Sequence, residues 1–383
     1  MPETIDKKIK EAKHLLNSFA ERTGISENGE KQQIRYLWTD AFAVQAFFGL
    51  SHIFDDEMYN RKALGLIDLV HETLGRFHPK DKRKGPISGL PESKAKEHPT
   101  INGLRIGKNL PERGTSEAFN EQLEWERDGQ YFHYLSRWFV SLLEAGQETG
   151  STKYSLYATE LLKAGGKFFT TETGQPGMYW KMSTDLSRPL IKSMGAQDPM
   201  EGLICAKSLE AIDSGKFKEI EEEANLFAQM CAGRDWSTSD ALGIGGLLLN
   251  TLRSAHLANE NIQLPASINP QKLMKESLYS LQAYALTQRP GQSANRRLAF
   301  RECGLSLGVR ALFGRRDSLA NVQLDFNELE KYLPLADQIE DFWLDPDNQK
   351  AVTWQDHLDI NTVSLAASLV ASKAPEVFAA TGK

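Results

Sequence analysis

The sequence predicts an all-α protein of the (α/α)6 toroid class, in which six helical hairpins form an inner and an outer ring. Helical periodicity runs through nearly all of the 383 residues, and the alternating pattern typical of strands is scarce. The predicted helices also alternate between two kinds, one amphipathic and one almost wholly apolar. A ring of hairpins requires this order, because its inner helices are enclosed by other helices while its outer helices face water.

Glycine, proline and Asn/Asp clusters divide the chain at helix-length intervals. The predicted helices span residues 4–22, 38–54, 57–76, 128–147, 152–172, 197–212, 217–232, 239–256, 271–288, 298–313, 327–342 and 359–373. Their starts are irregularly spaced, which disfavours a solenoid with a fixed repeat. We therefore expect one toroid domain over residues 1–383, with a long basic loop insertion at 77–127 near its rim.

The outer helices are the first, third, fifth, seventh, ninth and eleventh, and each has an apolar stripe and a charged face. They read "IDKKIKEAKHLLNSFAER", "EMYNRKALGLIDLVHETLGR", "TKYSLYATELLKAGGKFF", "KFKEIEEEANLFAQM", "PQKLMKESLYSLQAYALTQ" and "FNELEKYLPLADQIEDFW". The inner helices are rich in apolar and small residues, which allow helices to approach closely. They read "WTDAFAVQAFFGLSHIF", "DGQYFHYLSRWFVSLLEAG", "QDPMEGLICAKSLEAI", "SDALGIGGLLLNTLRSA", "LAFRECGLSLGVRALFG" and "INTVSLAASLVAS".

The composition is typical of a globular protein, with 40% hydrophobic and 25% charged residues and a net charge of −6. This mild acidity argues against a nucleic-acid partner. The start "MPETIDKKIKEAKHLL" lacks a signal-peptide core, and no apolar run is long enough to span a membrane. Three widely spaced cysteines suit a reducing compartment and form no metal motif. We expect a cytoplasmic protein with no membrane contact, no metal and no cofactor, whose oligomeric state is open.

One segment departs from the acidic average. Residues 79–113 contain nine Lys or Arg and four Asp or Glu, a local excess of five positive charges. A solvated surface loop explains this composition. The alternative is a basic flap over an anionic sugar, such as a uronate or a phosphorylated sugar.

The segments that lead into the inner helices carry aromatic and charged residues. In a toroid these six helices point the same way, so their N-termini share one rim. Indole rings stack on sugar C–H faces, and charged groups bind sugar hydroxyls, so this composition indicates a carbohydrate pocket. The predicted substrate-binding residues are Arg35, Tyr36, Trp38, Trp125, His133, Trp180, Trp236, Arg301, Trp354 and His357. The predicted catalytic residues are Asp40, Asp128, Asp198 and Asp240.

Each of these residues also has a structural interpretation. An aspartate at a helix start is commonly an N-cap. Trp125 and Trp180 could anchor loops on the ring, His133 could be a hydrogen-bonded core histidine, and Arg301 could neutralise nearby acids.

The alternation of helices resembles the six-hairpin glycosidase superfamily, which includes glycoside hydrolases, unsaturated glucuronyl hydrolases and, in a related architecture, sugar 2-epimerases. "LWTDAF" at 37–42 resembles the Trp-x-Asp entry to an early inner helix of the unsaturated uronyl hydrolases. This resemblance implies a functional role for Asp40. The Trp-Ala-Arg-Gly-Asn-Gly-Trp type signature of that group is absent, which leaves the reaction open.

For a hydrolase, one carboxylic acid protonates the leaving oxygen while a second carboxylate activates water. Asp40 and Asp128 are the first pair, and Asp198 and Asp240 are the reserves. The resemblance favours inversion, with carboxyl groups roughly 6.5 to 9.5 Å apart. Two alternatives remain, a sugar epimerase or isomerase that uses His133 and a non-catalytic carbohydrate-binding toroid. A terpene cyclase is disfavoured because "FDDEM" at 54–58 lacks the final aspartate of the acidic motif.

Overall fold

The computed structural model describes residues 2–25, 35–287 and 291–379, with side chains described from Asp6 onward. By their contacts these residues form two compact units. Unit 1 comprises the described residues of 1–29, 42–63 and 233–381. Unit 2 comprises those of 30–41 and 64–232. The single domain expected from the sequence therefore stays a prediction.

Helices make up most of the described chain. Their bounds are α1 Pro2–Thr23, α2 Leu37–Phe54, α3 Glu57–Leu74, α4 Glu92–Glu97, α5 Glu121–Glu126, α6 Phe132–Thr149, α7 Lys153–Gly165, α8 Asp198–Ile212, α9 Ser214–Lys218, α10 Glu221–Cys231, α11 Ala241–Asn259, α12 Pro270–Thr287, α13 Ala299–Gly314, α14 Phe326–Glu330, α15 Leu333–Leu344, α16 Val352–Gln355 and α17 Leu358–Ala371. Every helix predicted from the sequence has a counterpart here. The predicted helix end at residue 288 lies outside the described residues.

Five short strands lie in unit 2. They are β1 Gln130–Tyr131, β2 Phe169–Thr170, β3 Gly177–Met178, β4 Lys181–Met182 and β5 Pro189–Ile191. β1, β4 and β5 form one antiparallel sheet in that order, and β2 pairs with β3. Tyr131 of β1 is opposite Lys181 of β4. The helix predicted from residue 128 therefore begins only at Phe132, because the two preceding residues pair as a strand.

In unit 1, the apolar helices α11, α13 and α17 pack side by side, and the amphipathic helices α12, α15 and α1 cover them. The glycine-rich start of α11 allows the closest approach. A Cβ atom on Gly245 would lie 2.1 Å from the carbonyl oxygen of Gly304 in α13. Close packing therefore explains Gly245 in "GIGG" at 243–246, since only glycine leaves room there for the facing backbone.

Unit 2 also has apolar helices covered by amphipathic ones. Its apolar helices α6 and α8 pack on each other, with α7 and α10 against them. The segment between α3 and β1 contains the short helices α4 and α5 and is otherwise irregular. It is tied to the unit through Gln130, whose amide donates to the carbonyls of Asn102 and Thr184. Unit 2 thus presents β1, the start of α6 and the start of α8 on a fixed framework.

Candidate functional site

The first part of the site is a set of aromatic rings around His133, the second residue of α6. Gly129, at φ +149°, brings the chain against β4, where a Cβ would lie 2.7 Å from the carbonyl oxygen of Met182. The strand pairing that follows fixes Tyr131, whose ring stacks on His133 with centroids 5.2 Å apart. Trp180, just before β4, stacks on Tyr131 at 5.3 Å and on His133 at 6.4 Å.

The first turn of α2 supplies the opposite side of this cluster. Trp38 contacts the His133 ring at 6.1 Å and the Tyr134 ring at 5.4 Å. Tyr36 and Tyr134 share a hydrogen bond between their hydroxyls at 2.5 Å. Burial raises the pKa of both phenols, so both are neutral. Lys108 lies over the Tyr36 ring, 5.5 Å from its centroid, and adds a positive charge to this edge.

The second part of the site is a pair of carboxyl groups on the first turn of α8. Glu201 accepts hydrogen bonds from Arg137 and from the Ser136 hydroxyl, both on α6. Asp198 lies one turn earlier and is buried, with a side chain only 4% exposed. Arg137 and Ser136 therefore occupy the two oxygens of Glu201, one each.

Asp198 is the neutral member. Burial first, and then the negative charge of Glu201, raise the pKa of Asp198 from 3.8 to about 8, against the opposing effects of Arg137 and the Gly195 amide. Within the described residues, its Oδ2 has no hydrogen-bond partner. At neutral pH Asp198 is therefore a carboxylic acid with one buried oxygen that lacks a hydrogen-bond partner among the described residues.

His133 connects the rings to the carboxyl pair. Its Nδ1 lies 3.8 Å from Oδ1 of Asp198, beyond hydrogen-bond distance, and it has no other partner among the described residues. Burial and the charge of Arg137 lower the pKa of His133 to about 3, so the ring is neutral. The side chain is nevertheless 23% exposed. Solvent and small ligands can therefore reach this part of the site.

Asp40 and Asp128, the first catalytic pair expected from the sequence, lie in unit 2 with structural contacts. Asp128 is fully buried, forms an ion pair with Arg105 at 2.6 Å and accepts from the amides of Gly107 and Gly129. Asp40 is buried at the start of α2, 3.6 Å from Arg35, and accepts from the Tyr36 amide. These contacts favour positioning of the chain over proton transfer for both aspartates.

The remaining expected aspartate, Asp240, lies in unit 1. It is the N-cap of α11, accepts from the Gly243 amide at 2.9 Å and forms an ion pair with Arg301. The side chains of Asp240 and Arg301 are each 43% exposed. An exposed aspartate with a cap role and a cationic partner matches the structural interpretation given from the sequence, yet it stays open to water.

The three other expected residues of unit 1 differ in exposure. Trp236 is buried and donates its indole N–H to the carbonyl of Ser267. Trp354 is buried and stacks on Trp343 with centroids 5.6 Å apart. Both indoles are therefore core anchors within this unit. His357, before α17, is exposed beside the Phe300 ring.

Trp125 and the basic segment lie at the surface of unit 2. Trp125 on α5 is 46% exposed, and its ring meets that of Trp180 edge to face at 5.0 Å. Several cations of the segment have anionic partners: Arg83 pairs with Asp81, Glu112 and Asp185, Arg105 with Asp128, Arg113 with Glu124 and Lys94 with Glu97. These ion pairs account for part of the positive charge and favour the surface-loop interpretation over a flap for anionic sugars.

Sequence reasoning left Tyr131, Tyr134, Arg137, Glu201 and Lys108 out of the predicted site. Helical spacing offered a signal for two of them, because Arg137 follows His133 by four residues and Glu201 follows Asp198 by three. Lys108 reaches the cluster only through the fold of a long irregular segment. Its place could not be read from spacing.

In the part of the chain that the structure describes, no three His, Cys, Asp or Glu side chains form a group that could hold a metal ion. None of the helices in residues 2–25, 35–287 and 291–379 is long and apolar enough to cross a membrane.

No family model and no curated protein matches the chain. Several solved structures match it over nearly its full length, among them two α-mannanases. One is an inactive variant of an α-1,6-mannanase of Salegentibacter sp. HEL1_6 in complex with α-1,6-mannotetrose, with 11% identity, a TM-score of 0.56 and coverage of 97% of this chain and 99% of that one. The other is a GH76 α-mannanase of Bacteroides thetaiotaomicron, with 10% identity, a TM-score of 0.55 and coverage of 96% of each chain.

These matches establish the fold. The chain has an (α/α)6 toroid fold like that of these α-mannanases, as the alternation of its helices predicted.

Proposed function

We propose that the protein is a glycoside hydrolase whose general acid is Asp198. The observation that carries this proposal is a buried carboxyl group, neutral at pH 7, with a free oxygen beside a partly exposed set of aromatic rings. A glycosidic oxygen leaves readily only when it is protonated, so a carboxyl group that keeps its proton at neutral pH fits the role. The fold shared with α-mannanases supports the same reaction class.

The rings supply the binding surface. The partly exposed rings of Trp180 and Tyr36 offer faces for sugar C–H groups, and the Tyr36 hydroxyl offers a partner for sugar oxygens. Trp38 and Tyr134 are buried behind them. In the proposed reaction, Asp198 donates its proton to the oxygen that links two sugars while water attacks the anomeric carbon. The attacking water loses a proton to a second carboxylate.

We propose a named role for Asp198 alone. Within unit 2, Asp40 and Asp128 are buried beside Arg35 and Arg105. Arg137 and Ser136 already bind both oxygens of Glu201. The carboxylate that activates water must be charged and accessible.

The substrate we propose is a neutral oligosaccharide, and α-1,6-linked mannooligosaccharides are the first to test because the matched mannanase binds them. Wild-type protein should release reducing ends from them, which chromatography detects, and proton NMR of the first product gives the anomeric outcome. Asp198→Asn should lower the rate by about 10²- to 10⁴-fold, the usual contribution of a general acid. Asp213→Asn, at the other end of α8, is the matched control and should leave the rate unchanged.

Activity of Asp198→Asn equal to that of wild type would exclude Asp198 as the acid. Wild-type protein that binds these sugars without cleaving any of them would favour the non-catalytic toroid.

His133 supports a second candidate function, a sugar isomerase or epimerase. The His133 imidazole and the Asp198 carboxyl lie 3.8 Å apart, which is the pairing of a base and an acid that such a reaction needs. His133 would remove the proton from the carbon next to the sugar carbonyl while Asp198 protonates the carbonyl oxygen. The two functions separate in D₂O with D-mannose: an isomerase incorporates deuterium and forms a ketose, and His133→Ala abolishes both, whereas a hydrolase does neither.

A further inference from the structure

A cavity of about 560 Å³ lies in unit 2, and none of the predicted site residues lines it. Its floor is one face of α3, where Asp68, His71 and Glu72 follow each other at helical spacing, with Gly75 directly after the helix. Its other walls come from Tyr157 of α7 and from α4 with its flanking turns. This volume is within the range of small-molecule sites.

His71 offers a fixed hydrogen-bond donor in this cavity. The indole N–H of Trp138 donates to Nε2 of His71 at 3.0 Å. An indole nitrogen can only donate, so Nε2 accepts and the proton of the neutral ring is on Nδ1. Burial lowers the pKa of His71 to about 3, which keeps the ring neutral. No described residue accepts from Nδ1–H, and the atom is therefore left for a ligand or water.

The cavity also offers acceptors and a cation. Asp68 and Glu72, one turn apart on α3, have no ion-pair partner within the described chain, and neither has Lys96. Arg76 and Glu92, by contrast, satisfy each other through two hydrogen bonds of 2.7 Å. Since both signs of charge are present, the cavity does not select a ligand by net charge.

Tyr157 gives the cavity an aromatic wall. The Tyr157 ring meets His71 edge to face at 5.3 Å and also lines the cavity. Donors and acceptors in the same cavity as an aromatic ring suit a ligand whose hydroxyls each donate and accept, while its C–H face lies against the ring.

We propose that this cavity is a second binding site, separate from the candidate active site, that takes a neutral monosaccharide or disaccharide through Asp68, Glu72, His71 and Tyr157. This binding does not depend on the proposed hydrolysis. The two proposals can therefore fail independently.

The test is isothermal titration calorimetry of the full chain carrying Asp198→Asn, with D-mannose, D-glucose and maltose as neutral probes. Spermidine and inorganic phosphate are the cationic and anionic probes. Adding Asp68→Asn and Glu72→Gln should weaken binding of a neutral sugar at least about tenfold, because hydrogen bonds to charged groups are lost. Glu57→Gln, an exposed carboxylate on the first turn of the same helix, is the matched control and should not change the affinity.

The proposal is overturned if none of the neutral sugars binds, or if the double substitution in the cavity leaves their affinity unchanged. It is also overturned if spermidine or phosphate binds more tightly than every neutral sugar. Tyr157→Phe keeps the ring and removes only the hydroxyl, so we expect it to retain most of the affinity. A thermal melt of the double variant like that of its parent separates a local effect from misfolding.

Discussion

At the residue scale, Asp198 and Asp128 show how environment divides two aspartates between chemistry and structure. Both are buried, yet Asp128 faces Arg105 at 2.6 Å, whereas Asp198 faces the negative Glu201. A cation stabilises the ionised form of a carboxyl group, while burial and a neighbouring anion stabilise the protonated form. The first aspartate therefore holds the chain together, and the second keeps a proton that it can donate.

The raised pKa of Asp198 predicts an alkaline limit to activity. The acid form is present below about pH 8 and is lost above it, so kcat/KM should fall as pH rises through that value. A pH–rate profile on a cleaved oligosaccharide measures this directly. A profile that stays flat through pH 8 would contradict Asp198 as the acid.

The same raised pKa of Asp198 predicts that wild type and Asp198→Asn differ in stability by an amount that depends on pH. Because the folded pKa of about 8 exceeds the ordinary 3.8, the folded chain holds this proton more tightly, and stability falls as pH rises between these values. Asp198→Asn removes that titration. It should therefore stabilise the fold at neutral pH by up to a few kcal/mol. Chemical denaturation of both proteins at acidic and neutral pH checks this. The difference in unfolding free energy between Asp198→Asn and wild type should vanish near pH 3.8.

Removal of the Asp128 charge should have the opposite effect. Asp128→Asn leaves Arg105 buried without a counter-charge and should destabilise the fold by about 3 to 5 kcal/mol. Lys163→Gln breaks an exposed pair with Glu219 and should cost at most about 1 kcal/mol. Denaturation midpoints compare the stabilities of the two variants. A small loss of stability for Asp128→Asn would argue against the structural role of Asp128.

At the element scale, helix packing depends on where a glycine faces a neighbour. Gly245 of α11 meets the backbone of α13, where an added Cβ would lie 2.1 Å from a carbonyl oxygen. Gly65 of α3 has open space, with nothing within 4 Å of an added Cβ. Packing therefore requires glycine at position 245. At position 65 glycine makes no such contact and only lowers the helix propensity of α3.

The same substitution should therefore have opposite effects at these two positions. Gly245→Ala should destabilise the fold by about 1 to 3 kcal/mol, because two backbones must separate. Gly65→Ala should stabilise it by about 0.5 to 1 kcal/mol through lower chain entropy in the unfolded state. Thermal melts of both variants test the close contact of α11 and α13, which a neutral Gly245→Ala would contradict.

At the scale of the whole molecule, ligand binding should appear as added stability. A sugar at a hundred times its Kd adds roughly 2.7 kcal/mol to the free energy of unfolding. Trp180→Ala should reduce this ligand-dependent gain, because its ring borders the candidate site. Phe119→Ala, an exposed aromatic of the same unit, should keep it. Equal gains in both variants would place the sugar away from the Trp180 ring.

The sequence by itself determined the helices and the type of fold. Hydrophobic periodicity and helix-breaking residues such as glycine and proline are local features, so they located the helices. The alternation of amphipathic and apolar helices then predicted the toroid. The same pattern identified Asp198, His133 and Trp180 as candidates, because helix starts rich in aromatic and acidic residues are visible locally.

Only the tertiary structure decided the surroundings of each of these groups. The partners that set the states of the carboxyl groups are distant in the chain: Arg105 lies 23 residues from Asp128, and Arg137 lies 64 residues from Glu201. Burial of Trp236 and Trp354 also follows from packing, not from their positions before helices. A pKa depends on burial and nearby charges in space, and no local pattern in the sequence contains that information.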